Sequence, residues 1–358
     1  MAAPDSIRPN SASPLLEVRG LVKHFPVKGA SGGKKQVVRA VDGVDLRLYA
    51  GETLGVVGES GCGKSTTARL LMNLIDPTEG EIIFEGYRVG SAEMPLKQFR
   101  RQVQMVFQDS YASLNPRLTI EESIAFGPRV HGLAAAQSIA RAHDLLARVG
   151  LEPARFAGRY PHELSGGQRQ RINIARALAL QPRVVILDEA VSALDKSVEA
   201  QVLNLLLDLK AEFGLTYVFI SHDLHVVRYI SDRVMVMYLG EVAELGSTDD
   251  VFDNPKHPYT QALTRSMPSM DPDHRTERVP LAGDPPNPID PPSGCRFHPR
   301  CSVAAPACSI EKPRLVEHID GCMVSCLIHQ QGSGHPASTG AGSLPIRPRL
   351  DTSKARQP

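Results

Sequence analysis

A glycine-rich stretch between residues 58 and 65 has the residue types and spacing of a phosphate-binding loop. It fits the pattern G-x-x-x-x-G-K-[ST] at every fixed position, reading Gly58, Glu59, Ser60, Gly61, Cys62, Gly63, Lys64 and Ser65. Glycines let the backbone wrap closely around a phosphate, so that several N–H groups point at the anion. Lys64 would reach the β- and γ-phosphates, and the Ser65 hydroxyl would ligate Mg2+. These residues and Thr66 are therefore predicted to bind ATP and Mg2+.

The sequence on either side supplies the strand and the helix that such a loop needs. The apolar run Thr53–Val57 predicts a buried strand, and residues 66–72 predict the helix that follows it. The positive end of that helix dipole would face the anion. If the glycine pattern stood alone, a chance glycine-rich turn would be the alternative interpretation. The remaining motifs reduce that alternative to almost nothing.

Two adjacent carboxylates follow a second apolar run. Val184–Leu187 predicts a buried strand that ends at Asp188 and Glu189. In nucleotide hydrolases, acidic residues at this position hold Mg2+ and position the attacking water. We expect Asp188 to bind the metal and Glu189 to act on the water.

Two more polar residues stand at the ends of predicted strands. Gln108 follows the strand Val103–Phe107, and His222 comes just after the strand Tyr217–Ile220. Because parallel strands end at one edge of a sheet, Gln108 could reach a metal or water there, and His222 could sense the γ-phosphate. The alternatives are a solvated loop residue for Gln108 and a structural histidine for His222.

A short polar stretch opens the helix predicted at residues 168–180. It reads Ser165, Gly166, Gly167 and Gln168. Ser165 is a good N-cap whose neighbouring N–H groups could meet an anion, and simple capping is the alternative. Phe25, just after the strand Leu16–Val22, could stack on adenine or pack in the core.

Composition and charge exclude several classes of protein. The 358 residues, 42% of them hydrophobic, suffice for about two or three domains with a sizeable core. Forty basic residues against 39 acidic ones leave no positive excess for gripping nucleic acid. Residues 1–14 lack the pattern of a signal peptide, and no apolar run approaches the roughly 18 residues of a membrane span. We expect neither export, nor a membrane span, nor a nucleic-acid partner.

Five cysteines gather near the C-terminus, in a proline-rich segment. Only Cys62 lies in the first 290 residues, and the others are Cys295, Cys301, Cys308, Cys322 and Cys326. Grouped thiolates in an intracellular chain indicate a metal or iron–sulfur site, although the spacing matches neither zinc pairs nor ferredoxin runs. Free thiols are the alternative.

Taken together, the motifs resemble those of the ATP-binding subunits of ABC transporters. The matching pieces run in family order across residues 16–265, reading GESGCGKST, FQD with Gln108, LSGGQ, VVILDE, SALD with Asp195, and SHD with His222. Longer stretches, including YASLNPRLT and HPYTQAL at 257–263, are similar to the second ATPase of bacterial dipeptide and oligopeptide importers. Ala190 departs from that family, which usually has proline there, and should alter loop rigidity rather than chemistry.

The resemblance implies an α/β fold. This is a P-loop NTPase cassette with a RecA-like core, an N-terminal antiparallel β part and a helical subdomain at about residues 112–181. It implies an ATPase domain at 15–265 and a small, loop-rich, Cys-containing C-terminal domain at 266–330. Composition adds disordered ends at 1–14 and 331–358.

The resemblance also implies roles for the motif residues. The catalytic group would be Lys64, Gln108, Glu189 and His222, with Ser65, Gln108 and Asp188 as Mg2+ ligands. Ser165–Gln168 would be the signature, which acts on the ATP of a partner cassette, and Asp195 would belong to the D-loop. The stretch GCRFHPRC resembles a module that in relatives holds a [4Fe-4S] cluster, which places ligands at Cys295, Cys301, Cys308 and Cys326 and leaves Cys322 as an extra thiol.

The implied function is ATP hydrolysis that energises import of dipeptides or oligopeptides. The subunit would be peripheral, at the cytoplasmic face of the bacterial inner membrane. Its partners would be a second, different ABC ATPase, two transmembrane permease subunits and, indirectly, an extracytoplasmic substrate-binding protein. Glutathione or nickel complexes as cargo, and a soluble ABC ATPase outside transport, stay open as alternatives.

Overall fold

The computed structural model describes residues 13–27, 36–267, 283–318 and 321–338. Almost all of the predicted disordered N-terminus and the chain from residue 339 onward lie outside these ranges, as do residues 28–35. Among the described residues no helix is both long enough and apolar enough to cross a membrane.

Strands and helices alternate through most of the described chain. The strands are β1 (Leu16–Val27), β2 (Gln36–Leu48), β3 (Thr53–Val57), β4 (Glu79–Phe84), β5 (Tyr87–Arg88), β6 (Val103–Val106), β7 (Val184–Asp188), β8 (Thr216–Ile220), β9 (Arg233–Tyr238), β10 (Glu241–Ser247), β11 (Val316–Glu317) and β12 (Met323–Val324). The helices are α1 (Lys64–Leu71), α2 (Leu96–Gln102), α3 (Ile120–Val130), α4 (Ala135–Arg148), α5 (Pro153–Phe156), α6 (Gly166–Leu178), α7 (Lys196–Phe213), α8 (Leu224–Ile230), α9 (Thr248–Asp253), α10 (Pro258–Arg265) and α11 (Pro306–Ile310). Short 3-10 turns lie at Pro161–Glu163, His298–Arg300 and Leu327–His329.

The larger sheet has the order β11-β12-β10-β9-β3-β8-β7-β6. Its five strands from β9 to β6 are parallel, and both of their faces are covered. Leu54 and Val56 pack into one buried cluster, whereas Val57 on the opposite face packs into the other. Burial on both faces is why these strands read as continuous apolar runs in the sequence.

A second, antiparallel sheet has the order β2-β1-β4-β5 and confirms the predicted N-terminal β part. Between β6 and β7 the chain is mainly helical, as predicted, with α3 and α4 packed together and against α6. Thr119 starts α3 with a capping box, in which its side chain accepts from Glu122 N–H and Glu122 accepts from Thr119 N–H.

The C-terminal segment, residues 283–338 where described, is joined to the larger sheet. β12 pairs antiparallel with β10, and β11 pairs with β12. The packed part extends to residue 338, inside the range predicted as tail. There Ser333 and His335 are buried, the Ser333 hydroxyl donates to Leu327 O over 2.7 Å, and His335 Nε2 lies 3.1 Å from Val303 O.

Candidate active site at the phosphate loop

The phosphate loop, residues 58–63, leaves the end of β3 and enters α1. A Cβ added at Gly58 would lie 2.2 Å from Met237 O, and one at Gly63 would lie 2.2 Å from Ala40 O. Gly63 also has φ 107°, in the left-handed region. The loop therefore follows a path that a side chain at either position would block.

Lys64 begins α1 and is buried. Its Nζ donates to Gly58 O over 2.7 Å and to Glu59 O over 3.1 Å, so the ammonium is held inside the loop. Gly63, at the N-cap, has no side chain that could bond the first N–H groups of α1. The ammonium and the helix N-terminus thus converge where a phosphate would be bound.

Ser65, in the first turn of α1, contacts Asp188 at the end of β7. The Ser65 hydroxyl donates to Asp188 Oδ1 over 3.0 Å. Burial raises the pKa of Asp188, while the Ser65 hydrogen bond lowers it and the charge of Glu189 raises it again. A divalent cation would oppose that rise, and a hydroxyl beside a carboxylate supplies the oxygen ligands that Mg2+ prefers.

Glu189 lies at the centre of a second group of predicted residues. Gln108 Nε2 donates to Glu189 Oε2 over 2.7 Å, and His222 Nδ1 lies 3.7 Å from Glu189 Oε1. Glu189 has φ 48°, and its N–H donates to Ile220 O over 3.0 Å. A left-handed conformation at a residue other than glycine costs about 1–3 kcal/mol and is concentrated at functional sites. The ends of β6, β7 and β8 thus bring Gln108, Glu189 and His222 together, while their roles stay predictions.

The signature residues form a separate group at the start of α6. Ser165 and Gln168 make a capping box, with Gln168 N–H donating to the Ser165 hydroxyl and Ser165 N–H donating to Gln168 Oε1. Gly167 lies against α7, because a Cβ there would be 2.5 Å from Val198 Cγ1. Asp195 caps α7 by accepting from Val198 N–H over 2.9 Å.

The signature and Asp195 are therefore neighbours of one another. Within the described ranges, no hydrogen bond joins Ser165, Gln168 or Asp195 to the phosphate loop of the same chain. The action of the signature on the ATP of a partner stays a prediction.

Phe25 lies on β1, paired with Val38 of β2. The carbonyl of Ala40, two residues further along β2, lies against Gly63. Phe25 is 37% exposed, and Lys23 Nζ lies 5.3 Å from its ring centroid. The ring is thus on the surface instead of in the core, and its stacking on adenine stays a prediction.

Sequence reasoning missed two residues that contact the loop and a third that joins the same C-terminal segment to the cassette. Arg300 makes a bidentate ion pair with Glu59, with N–O distances of 2.7 Å and 3.0 Å. The N–H of Glu59 donates to Tyr259 Oη over 2.9 Å. Arg296 pairs with Asp42 of β2 and with Glu241 of β10. The only available signals were the stretches HPYTQAL and HPRC, which carry Tyr259 and Arg300 but do not indicate what they touch.

Four of the C-terminal cysteines line one small cavity. They are Cys295, Cys301, Cys308 and Cys326. Cys322 is instead buried against β10, where its Sγ lies 3.6 Å from Glu244 Oε1. Burial raises the pKa of Cys295 to about 11 and that of Cys326 to about 12, so without a metal their thiols stay protonated. Over the described residues, no group of three or more His, Cys, Asp or Glu side chains is arranged to hold a metal ion.

Comparison with known proteins decides the family. Residues 41–192 match the ABC transporter model, and residues 243–308 match the model of the oligopeptide/dipeptide transporter C-terminal region. A probable peptide ABC transporter ATP-binding protein of Sinorhizobium fredii is 52% identical over 93% of this chain and 95% of its own length. The chain belongs to the ATP-binding subunits of ABC transporters.

Other relatives of this ABC subunit carry similar names. An oligopeptide transport ATP-binding protein of Bacillus subtilis is 51% identical over 88% of this chain and 97% of its own length. A dipeptide transport ATP-binding protein of Haemophilus influenzae is 50% identical over 88% and 96%. A solved ATP-binding cassette, dimeric and bound to ADP and Pi, is 31% identical over 65% of this chain and 98% of its own length, with a TM-score of 0.57. The α/β cassette fold, ATPase class and need for ATP and Mg2+ follow from this membership.

Proposed function

We propose that this ABC subunit hydrolyses ATP to drive peptide import through separate membrane subunits. The proposal is carried by two hydrogen bonds beside the phosphate loop. Ser65 donates to Asp188, and Gln108 donates to Glu189. The same chain carries the oligopeptide/dipeptide transporter C-terminal region. The names of its relatives favour peptides over glutathione or nickel complexes as cargo, and transport over a role outside it.

The reaction follows from the placement of the side chains. Lys64 and the N-terminal amides of α1 would bind the β- and γ-phosphates. Ser65, Asp188 and Gln108 would hold Mg2+, which when bound neutralises charge on the phosphates. Glu189 would accept a hydrogen bond from the attacking water and so orient it. Gln108 donates to the Glu189 carboxylate, and His222 faces its other oxygen, so both limit its movement.

A second cassette would complete the site. Two cassettes facing head to tail bring Ser165–Gln168 of one chain against the phosphate loop of the other, where the N-terminus of α6 adds positive potential. This arrangement is supported by the dimeric state of the similar solved cassette. We propose that the partner is a different ATPase subunit and that both dock peripherally on two permeases at the inner membrane.

We also propose that Cys295, Cys301, Cys308 and Cys326 hold a [4Fe-4S] cluster. The support is the cavity that the four side chains share, because four cysteine thiolates are the usual ligands of a [4Fe-4S] cluster. Such a cluster would join loops that share little core, so that its binding free energy becomes folding free energy of this segment.

The test of the transport function is reconstitution in liposomes with the partner ATPase, the permeases and the binding protein. Peptide should stimulate ATP hydrolysis and accumulate in the lumen, and Glu189→Gln should abolish both. If glutathione or a nickel complex accumulates and peptides do not, the cargo assignment is wrong. If hydrolysis is intact and no cargo moves, the transport assignment is wrong.

A further inference from the structure

Glu59 of the phosphate loop is held by two residues from the C-terminal part of the chain. Arg300 reaches across 241 residues of sequence to pair with both carboxylate oxygens of Glu59, at 2.7 Å and 3.0 Å. Tyr259 Oη accepts from Glu59 N–H over 2.9 Å. The carbonyl of Glu59 in turn accepts from Lys64 Nζ over 3.1 Å. The side chain, N–H and carbonyl of one loop residue are therefore all engaged.

Contacts other than the ion pair with Glu59 also hold the side chain of Arg300 in place. Its side chain is 6% exposed, and it also donates to Gly283 O over 3.0 Å and to Tyr238 Oη over 3.3 Å. It ends the 3-10 turn His298–Arg300, directly before Cys301. A buried guanidinium with several acceptors has little freedom, so it sets where the Glu59 carboxylate lies.

The charge of Glu59 matters because of what the loop binds. A carboxylate in a phosphate loop repels the β- and γ-phosphates unless a cation neutralises it. Arg300 is the cation paired with it, and the side chain of Glu59 is only 21% exposed, so solvent screens this charge incompletely.

We propose that Arg300 is a positioning residue for ATP binding, which neutralises Glu59 and holds the phosphate loop in its binding conformation. This inference rests on the proposed ATP site. It gives the C-terminal segment a part in controlling how tightly that site binds ATP. Because Arg300 and Cys301 are adjacent, a disturbance of the loops that carry the four cysteines would reach the phosphate loop through Arg300.

The deciding experiment measures affinity for a fluorescent ATP analogue in the full-length protein. Arg300→Ala should weaken binding about tenfold, since it leaves the Glu59 carboxylate unpaired beside the phosphates. In the assembled transporter the KM for ATP should rise and kcat at saturating ATP should change less, because Arg300 does not touch the reacting atoms. Arg300→Lys, which keeps the charge without the two-pronged geometry, should give an intermediate loss.

The double variant Glu59→Gln with Arg300→Ala separates positioning from a structural role. Both this variant and Arg300→Ala lack the guanidinium, but only the single variant leaves a carboxylate unpaired. The double variant should recover most of the lost affinity. A double variant as weak as the single one would overturn the proposal.

Arg296→Ala is the matched control. It removes another buried arginine that joins the same segment to the cassette, through Asp42 and Glu241. It should leave ATP affinity within about threefold of wild type. If Arg296→Ala weakens binding as much as Arg300→Ala, general loosening of the segment is responsible and the proposal fails. If the wild-type protein binds no ATP, the proposed function itself is wrong. If Arg300→Ala binds ATP with unchanged affinity, only this inference is wrong.

Discussion

Gln108 and Glu189 are 81 residues apart in the sequence, and Gln108 Nε2 donates to Glu189 Oε2 over 2.7 Å. The contact joins a residue at the entrance to the helical region with the residue that would orient water. Any movement of the Gln108 loop therefore changes the position of the Glu189 carboxylate. This relationship gives a physical route by which docking on a membrane partner could control hydrolysis.

Replacing Glu189 by Gln should leave ATP binding intact and stop turnover. The amide keeps the shape of the side chain but loses the carboxylate that orients water, a loss of about 100-fold or more. Steady-state ATPase of the assembled complex is the measurement, with ATP-analogue binding as its control. Activity within about threefold of wild type would remove Glu189 from this role.

Replacing Lys64 by Ala should weaken nucleotide binding itself. The change removes a charge-assisted contact to the phosphates, one of the stronger kinds of hydrogen bond. Titration with a fluorescent ATP analogue measures the effect, and Lys97→Ala on the exposed face of α2 is the charge-matched control. Equal affinity for the two variants would mean that the loop does not hold phosphate as argued.

Replacing Gly167 by Ala should lower thermal stability, because its new Cβ would lie 2.5 Å from Val198 Cγ1. Overpacking of this kind costs about 1–3 kcal/mol. Gly166→Ala is the control, since the nearest atom to its Cβ is 3.9 Å away, in Leu194. A thermal melt should show a loss for Gly167→Ala that Val198→Ala partly restores. Equal melting temperatures for the two glycine variants would contradict the packing argument.

Iron content should separate the cysteines into two classes. Protein purified without oxygen should be brown, with a broad absorption band at about 400 nm. Cys301→Ser and Cys326→Ser should lose iron and expose the C-terminal segment to protease, because their side chains line the shared cavity. Cys322→Ser should retain iron, since Cys322 lies against Glu244 instead. Zinc in place of iron, or iron loss only in Cys322→Ser, would contradict the ligand assignment.

The sequence was most informative where a residue stands at the end of a buried strand. The placement of Asp188, Glu189 and His222 at one sheet edge follows from the continuous apolar runs that precede them, because parallel strands end at a common edge. Gln108 was ambiguous alone, and its contact with Glu189 places it beside the other predicted site residues. Local pattern carries such information because the strand itself determines where its last side chain lies.

The contacts of the C-terminal segment could not be predicted in this way. β11 and β12 are two residues long each, too short for periodicity to indicate a strand. The pairing of Arg300 with Glu59 depends on how two distant parts of the chain pack, and neither side of it has a local pattern. The same holds for Cys322 and Cys326, which spacing alone could not tell apart and which the fold places against different neighbours.

The pairing of β12 with β10 has a consequence for how the protein is made. β10 is complete at residue 247, whereas the strand that covers its outer side begins at Met323. During synthesis, more than seventy further residues are therefore added before the strand that pairs with Glu244 and Leu245 of β10 emerges. An uncovered strand of this kind is a template for pairing with another chain, so we expect the nascent cassette to be prone to aggregation until β12 is in place.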